Sequence, residues 1–208
     1  MRRTGTFRAT AVVAALTGAA LLVACSPPPP LTPPGSTCRR AFPAASTQVS
    51  TAFVGPDASN SLLVTAGLTG IQKWNAVGHQ GPQLVGPGQS ATLEFQAFND
   101  PNSRYVGFFA SGDRNVGASC DPTGWVGTTR IHINVGALFV GPNPFGTATH
   151  VGSHEIGHAL GLGHPGEGSP TFTNCPGTVM WWTTEVFTRC GTDGPTAQDV
   201  VTIDALYD

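Results

Sequence analysis

Along residues 129–140, TRIHINVGALFV, apolar side chains take every second position through Ile131, Ile133 and Val135, the period of a strand with one buried face. Two earlier runs, ATLEFQAF (91–98) and RYVGFFAS (104–111), are rich in aromatic and apolar residues and predict further strands. Before them, SLLVTAGLTGIQKWNAVG predicts a helix over residues 60–77, although its glycines weaken the intrinsic propensity. In HEIGHALGLGH, Ile156, Ala159 and Leu160 fall on one side of a second helix while two histidines fall on the other. The last segment, PTAQDVVTIDALYD, carries Thr196 and Asp199 at capping-box spacing, with Asp in place of the usual Glu or Gln. Val200, Ile203, Ala205 and Leu206 would form its buried stripe. Helix, strands, helix and closing helix make an α+β chain, and no internal repeat interrupts that order.

The N-terminus has a different pattern. MRRTGTFR is short and basic, ATAVVAALTGAALLVA is an apolar run of signal-peptide length, and Leu22-Val23-Ala24-Cys25 follows. A confident membrane span needs about 20 apolar residues, and proline arrives too soon for that. Leu-Val-Ala-Cys resembles the bacterial lipobox, which implies removal of residues 1–24 and acylation of Cys25. The protein is then exported and anchored by lipid on the outer face of a membrane; ordinary secretion is the alternative. Residues 25–37, with SPPPPLTPPGST after the cysteine, can form neither helix nor central strand and predict an extended tether. Residues 38–208 remain, enough for one domain with a core of its own. Gly 27 and Pro 18 favour a loop-rich fold, and a net charge of -2 with ten basic residues offers no surface for nucleic acid. A monomer is expected.

The chemistry gathers in residues 154–164. Residues four apart on a helix lie about 40° apart around the axis, so His154 and His158 can grip one ion together. His164 would lie about 240° beyond His158 on a continuing helix, so the helix must stop. Gly161 and Gly163 supply residues that tolerate the positive φ of a reversal. Three neutral imidazoles with an open fourth position describe a catalytic Zn²⁺ site, whereas structural zinc is closed by four protein ligands. Glu155 is rotated about 100° from His154, beside the ion rather than on it, which suits a general base acting on water.

The full pattern HExxHxxGxxH, filled by His154, Glu155, His158, Gly161 and His164, resembles the metzincin metalloproteases, within them the matrixin-like branch. Cys175-Pro-Gly-Thr-Val-Met180 stands where that family has its Met-turn, and the resemblance implies that Met180 underlies the imidazoles without bonding to zinc. The final segment is similar to the closing helix of matrixins. What the resemblance implies is a zincin catalytic domain over 38–208. Its parts are a twisted, mostly parallel sheet with an antiparallel edge strand, a zinc helix, a Met-turn and a C-terminal helix. A protein or peptide substrate would pair with the edge strand, here residues 104–111, with Val106 and Phe108 the positions where a proline would disturb it. Trp181 and Trp182 replace the tyrosine of astacin-like relatives, so no fifth protein ligand is expected. No inhibitory cysteine motif is found around Cys38.

With Cys25 assigned to lipid, Cys38, Cys120, Cys175 and Cys190 form an even set in a disulfide-permitting compartment. Four cysteines allow three pairings; Cys175 with Cys190 would close a short loop around Met180, leaving Cys38 with Cys120. Asp100, Asn102, Asp113 and Asn115 offer oxygens of the kind Ca²⁺ takes, without EF-hand spacing. His79, His132 and His150 read as ordinary polar positions, His150 just ahead of the zinc helix. Two functions remain: a surface-tethered zinc endopeptidase, or a zinc-binding surface lipoprotein with a scaffold or binding role and little turnover.

Overall fold

A computed structural model of the protein describes residues 38, 41–42, 48–88, 91–112, 120–121, 124–139, 142–165, 175, 177–181 and 183–208. The signal segment, Cys25, the tether, Trp182 and two of the calcium candidates, Asp113 and Asn115, lie outside them. Five strands form one sheet in the order β2-β1-β3-β7-β4. They are β1 (Gln48–Val54), β2 (Gln83–Val85), β3 (Leu93–Phe98), β4 (Gly107–Ser111) and β7 (Thr129–Asn134). All neighbours are parallel except β4, which runs antiparallel to β7 at the edge. A separate two-stranded ribbon joins β5 (Cys120–Asp121) to β6 (Gly124–Trp125).

The helix expected over 60–77 is α1 (Ser61–Ala76), started by the Asn60 side chain, which accepts from the N–H groups of Leu62 and Leu63. Its glycines have a packing role. A Cβ on Gly152 of α3 (Pro144–Ala159) would sit 2.1 Å from the Ala66 carbonyl oxygen, and one on Gly70 would sit 2.8 Å from Ile156. The two helices therefore meet backbone to backbone, and a methyl at Gly152 would force them apart. Leu62, Leu63, Phe95, Ile131, Ile133 and Ile156 are fully buried in the core between this helix pair and the sheet. Trp74 locks the crossing by donating its indole N–H to the Ser153 carbonyl at 2.8 Å.

Three sequence expectations change. The strand predicted through residue 140 ends at Asn134, because the Asn134 side chain accepts from Ala137 N–H and starts a helical turn, α2 (Val135–Leu138). Val135 and Leu138, read as strand positions, are instead three apart on a turn and both buried. The zinc-motif helix begins at Pro144, behind the Asn143 cap, so His150 lies inside it. In the closing helix α5 (Ala197–Tyr207) the capping box is present, but Ala205 faces solvent and Asp199, Ile203 and Leu206 are the buried positions. Strands β1 and β2 were not anticipated: β1 is an inner strand whose partners lie far along the chain, and β2 is only three residues long. Among the described residues no helix is long and apolar enough to cross a membrane.

Candidate metal centre

Helix α3 carries His154, Glu155 and His158, all lining one cavity of about 770 Å³. The helix ends in a Schellman turn: Leu162 N–H donates to the Gly157 carbonyl at 2.9 Å and Gly161 N–H to the His158 carbonyl at 3.0 Å. Gly161 has φ +104, and an added Cβ there would meet the Cys38 carbonyl oxygen at 2.2 Å, so both conformation and space demand glycine. The reversal does what the spacing predicted. It brings His164 back until its Nε2 lies 3.2 Å from Nε2 of both His154 and His158.

Those contacts are chemically informative. Nδ1 of His154 lies 2.9 Å from the Val179 carbonyl oxygen and Nδ1 of His158 lies 2.8 Å from that of Leu162. A carbonyl only accepts, so each Nδ1 holds the proton of a neutral ring and each Nε2 presents a lone pair. His164 Nε2 could donate to one of them but not to both. The arrangement wants a cation in the middle. Tetrahedral zinc bound at about 2.0–2.1 Å would set its ligand nitrogens about 3.3–3.4 Å apart, close to what these three show. The donor set therefore fits a metal ion, with all three ligand atoms within 4.8 Å of one another.

Burial keeps the rings neutral. It sets the His154 imidazole well below its usual range, helped by His158 and His164, and brings His158 down to about 4, again with His164 adding to the effect. His164, at the mouth and exposed, is lowered by partial burial alone. Glu155 is 5 % exposed, its Oε2 has no hydrogen-bond partner, and burial pushes its carboxyl up to about 8. A Cβ on Gly107 of the edge strand would sit 3.1 Å from Glu155 Oε1, so the strand passes directly over the carboxyl.

Met180 is fully buried. A Cβ on Gly157, between the two helical ligands, would fall 2.3 Å from the Met180 sulfur, so that glycine admits the thioether against the helix. The turn before Met180 is held from α5. The Asp199 carboxylate accepts from the Thr178 hydroxyl, from Val179 N–H at 3.0 Å and from Thr196 N–H at 2.8 Å. Cys175 is bonded to Cys190, which ties the entry of this turn to the end of α4 (Glu185–Cys190). Closing a loop of that length contributes about 3 kcal/mol in the chain-entropy picture. Cys38 is also disulfide-bonded, while the side chain of its expected partner Cys120 lies outside the described residues. Of the calcium candidates, Asp100 accepts from Asn102 N–H at 3.0 Å, a local turn bond.

The edge strand needs a correction. Asn134 N–H donates to the Val106 carbonyl and Gly112 N–H to the Thr128 carbonyl, which fixes the hydrogen-bonded pairs of the β4–β7 ladder at even-numbered β4 positions. Val106 and Phe108, two apart, both face β7; the outward donors belong to Gly107 and Phe109. The Phe108 side chain stacks on His132, with ring centroids 4.4 Å apart. His150, read as a polar position ahead of the helix, is instead a buried member of the cavity wall. Its spacing of four before His154 was the available signal, and it needed a helix that starts ten residues before the motif.

No family model and no curated protein matches the chain. Among solved structures, a chain of the "GM1 bound form of the ECX AB5 holotoxin" is similar, with 17% identity over 77% of this chain and 80% of that one and a TM-score of 0.47. A likeness at that level carries no argument about function.

Proposed function

We propose that this protein is a zinc-dependent endopeptidase of the metzincin type, matrixin-like branch, which hydrolyses peptide bonds outside the cell. One observation carries the reading: three imidazoles converge beside an unpartnered buried carboxyl oxygen, in a cleft lined by β4, the edge strand of the five-stranded sheet. His154, His158 and His164 would hold the ion through Nε2. When bound, zinc supplies Lewis acidity, polarising a carbonyl and acidifying water. Ionised beside the bound cation, Glu155 would take the proton from the attacking water and pass it to the amide nitrogen as the C–N bond breaks. One water is consumed, and a carboxylic acid and an amine are released. The outward donors of Gly107 and Phe109 pair with an extended peptide and bring its carbonyl over Glu155.

The N-terminal sequence supports export and a lipid anchor at Cys25, with the proline-rich segment as spacer. The activity is tested by incubating the purified zinc-loaded protein and its Glu155→Gln variant with a diverse peptide library, with and without a chelator. Cleavage should require both zinc and Glu155. Zinc-loaded protein that cuts no peptide, or a Glu155→Gln variant as active as the parent, overturns the proposal.

A further inference from the structure

The cavity continues past the three imidazoles along α3, where it meets His150 one turn before His154. His150 is 2 % exposed, its ring stacks on Phe187 at 6.1 Å between centroids, and its Nδ1 lies 2.8 Å from the Thr192 carbonyl oxygen. That carbonyl can only accept, so Nδ1 carries the proton and Nε2 is left as an acceptor. Nε2 has no partner among the described residues, although the residue lines the cavity. Burial favours the neutral ring, consistent with this tautomer. Across the same cavity stand Thr183 and Thr184, and the Thr184 side chain makes no capping bond to α4. Of the lining residues beyond the histidines only Arg104 and Glu155 are charged, and Arg104 is exposed.

We propose that His150 and Thr184 make this part of the cleft selective for a neutral carboxamide side chain, Asn or Gln, in the substrate residue beside the scissile bond. This rests on the peptide-hydrolase reading of the site. The amide N–H donates to His150 Nε2 and the amide oxygen accepts from the Thr184 hydroxyl. A leucine of the same shape would cover the Nε2 acceptor without pairing it, and such a mismatch is the kind of difference that gives large discrimination. A glutamate sets its charge against the lone pair of a neutral ring.

The probes are peptides, and matching peptidyl hydroxamates, that differ only in carrying Leu, Asn, Gln or Glu beside the reacting carbonyl, tested on zinc-loaded protein by cleavage rate and by calorimetric Kd. The parent should bind the Asn and Gln hydroxamates at least tenfold more tightly than the Leu and Glu ones. His150→Asn keeps an amide near the position of Nδ1 for Thr192 and removes the ε nitrogen, so it should abolish that preference at unchanged zinc content. Thr184→Val, on a different element, should weaken the preference if His150→Asn fails to fold. A parent that prefers Leu, or variants that keep the carboxamide preference, overturns the proposal. If the hydroxamates show the preference but no peptide is cut, the hydrolase reading fails while the specificity assignment stands. If peptides are cut without regard to His150, the reverse holds.

Discussion

Asp199 lies on the closing helix, yet its hydrogen bonds make it a support of the candidate metal centre. Its carboxylate is fully buried and accepts from the Thr178 hydroxyl and the N–H groups of Val179 and Thr196. The Val179 carbonyl in turn accepts from Nδ1 of His154. Asp199→Ala would orphan two buried donors, at about 1–3 kcal/mol each, and remove one side of a helix cap worth about 1 kcal/mol. The sum is about 3–7 kcal/mol, a large part of the 5–15 kcal/mol typical of a domain. Released from α5, the turn should let the Val179 carbonyl drift, and loss of such an outer hydrogen bond typically costs about 10–100-fold in metal affinity. Urea denaturation of the metal-free proteins should show a lower midpoint at unchanged slope, and chelator competition should show at least tenfold weaker zinc binding. An Asp199→Ala protein with the parent midpoint and the parent zinc affinity would refute the whole chain of support.

Four further outcomes are expected. His164→Ala, at an exposed position, should leave metal-free stability within about 0.5 kcal/mol while sharply weakening zinc binding; full occupancy by metal analysis would remove His164 from the ligand set. Phe108→Pro should lower the denaturation midpoint, because the Phe108 donor belongs to the β7 ladder; substrate peptides N-methylated at alternate residues should lose cleavage in one phase only, and equal cleavage in both phases would dismiss pairing with the edge. His79 is buried with both ring nitrogens unpartnered, and burial lowers its pKa against the opposing pull of Asp204. The unfolded chain then binds more protons just below pH 6.5, so the His79 contribution is lost as pH falls; His79→Phe should gain stability relative to the parent between pH 8 and pH 5, and a pH-independent difference would contradict this. Mass spectrometry of the mature N-terminus should find acylated Cys25, and an unmodified start beyond it would favour simple secretion.

The three converging imidazoles were legible because their geometry is local. Two are set by the helical period, and the third follows from a glycine-dependent reversal that the backbone confirms at Gly161. The Thr196–Asp199 box was legible for the same reason, since a cap is read within four residues. The missed features depend on partners far along the chain. Asn134 looks like the sixth residue of an alternating strand; its side chain caps the turn at Ala137 N–H and is held for that by its bonds to the Asp100 and Tyr105 carbonyls, 34 and 29 residues away. The register of β4 on β7 decides which donors face outward, and no pattern within residues 104–111 contains that register. His150 was discounted for a similar reason: its role comes from Thr192, 42 residues away, which uses one ring nitrogen and leaves the other.

The three imidazoles are not held equally, and the difference follows from the order of the chain. His154 is fixed by a carbonyl from the turn before Met180, which α5 and the Cys175–Cys190 bond hold in place. His158 is fixed by Leu162, four residues on, as part of the turn that ends its own helix. These two tautomers are therefore set by the fold before any metal arrives. His164 stands at the exposed mouth, where among the described residues its Nε2 is placed against the other two nitrogens. A preformed pair plus one less constrained ligand lowers the ordering cost of two of the three bonds and leaves the remaining one open to the cleft. Glu155 needs no separate support: the helix that aims His154 also places its neighbour under Gly107, so one element sets both the candidate ligand and the proposed base.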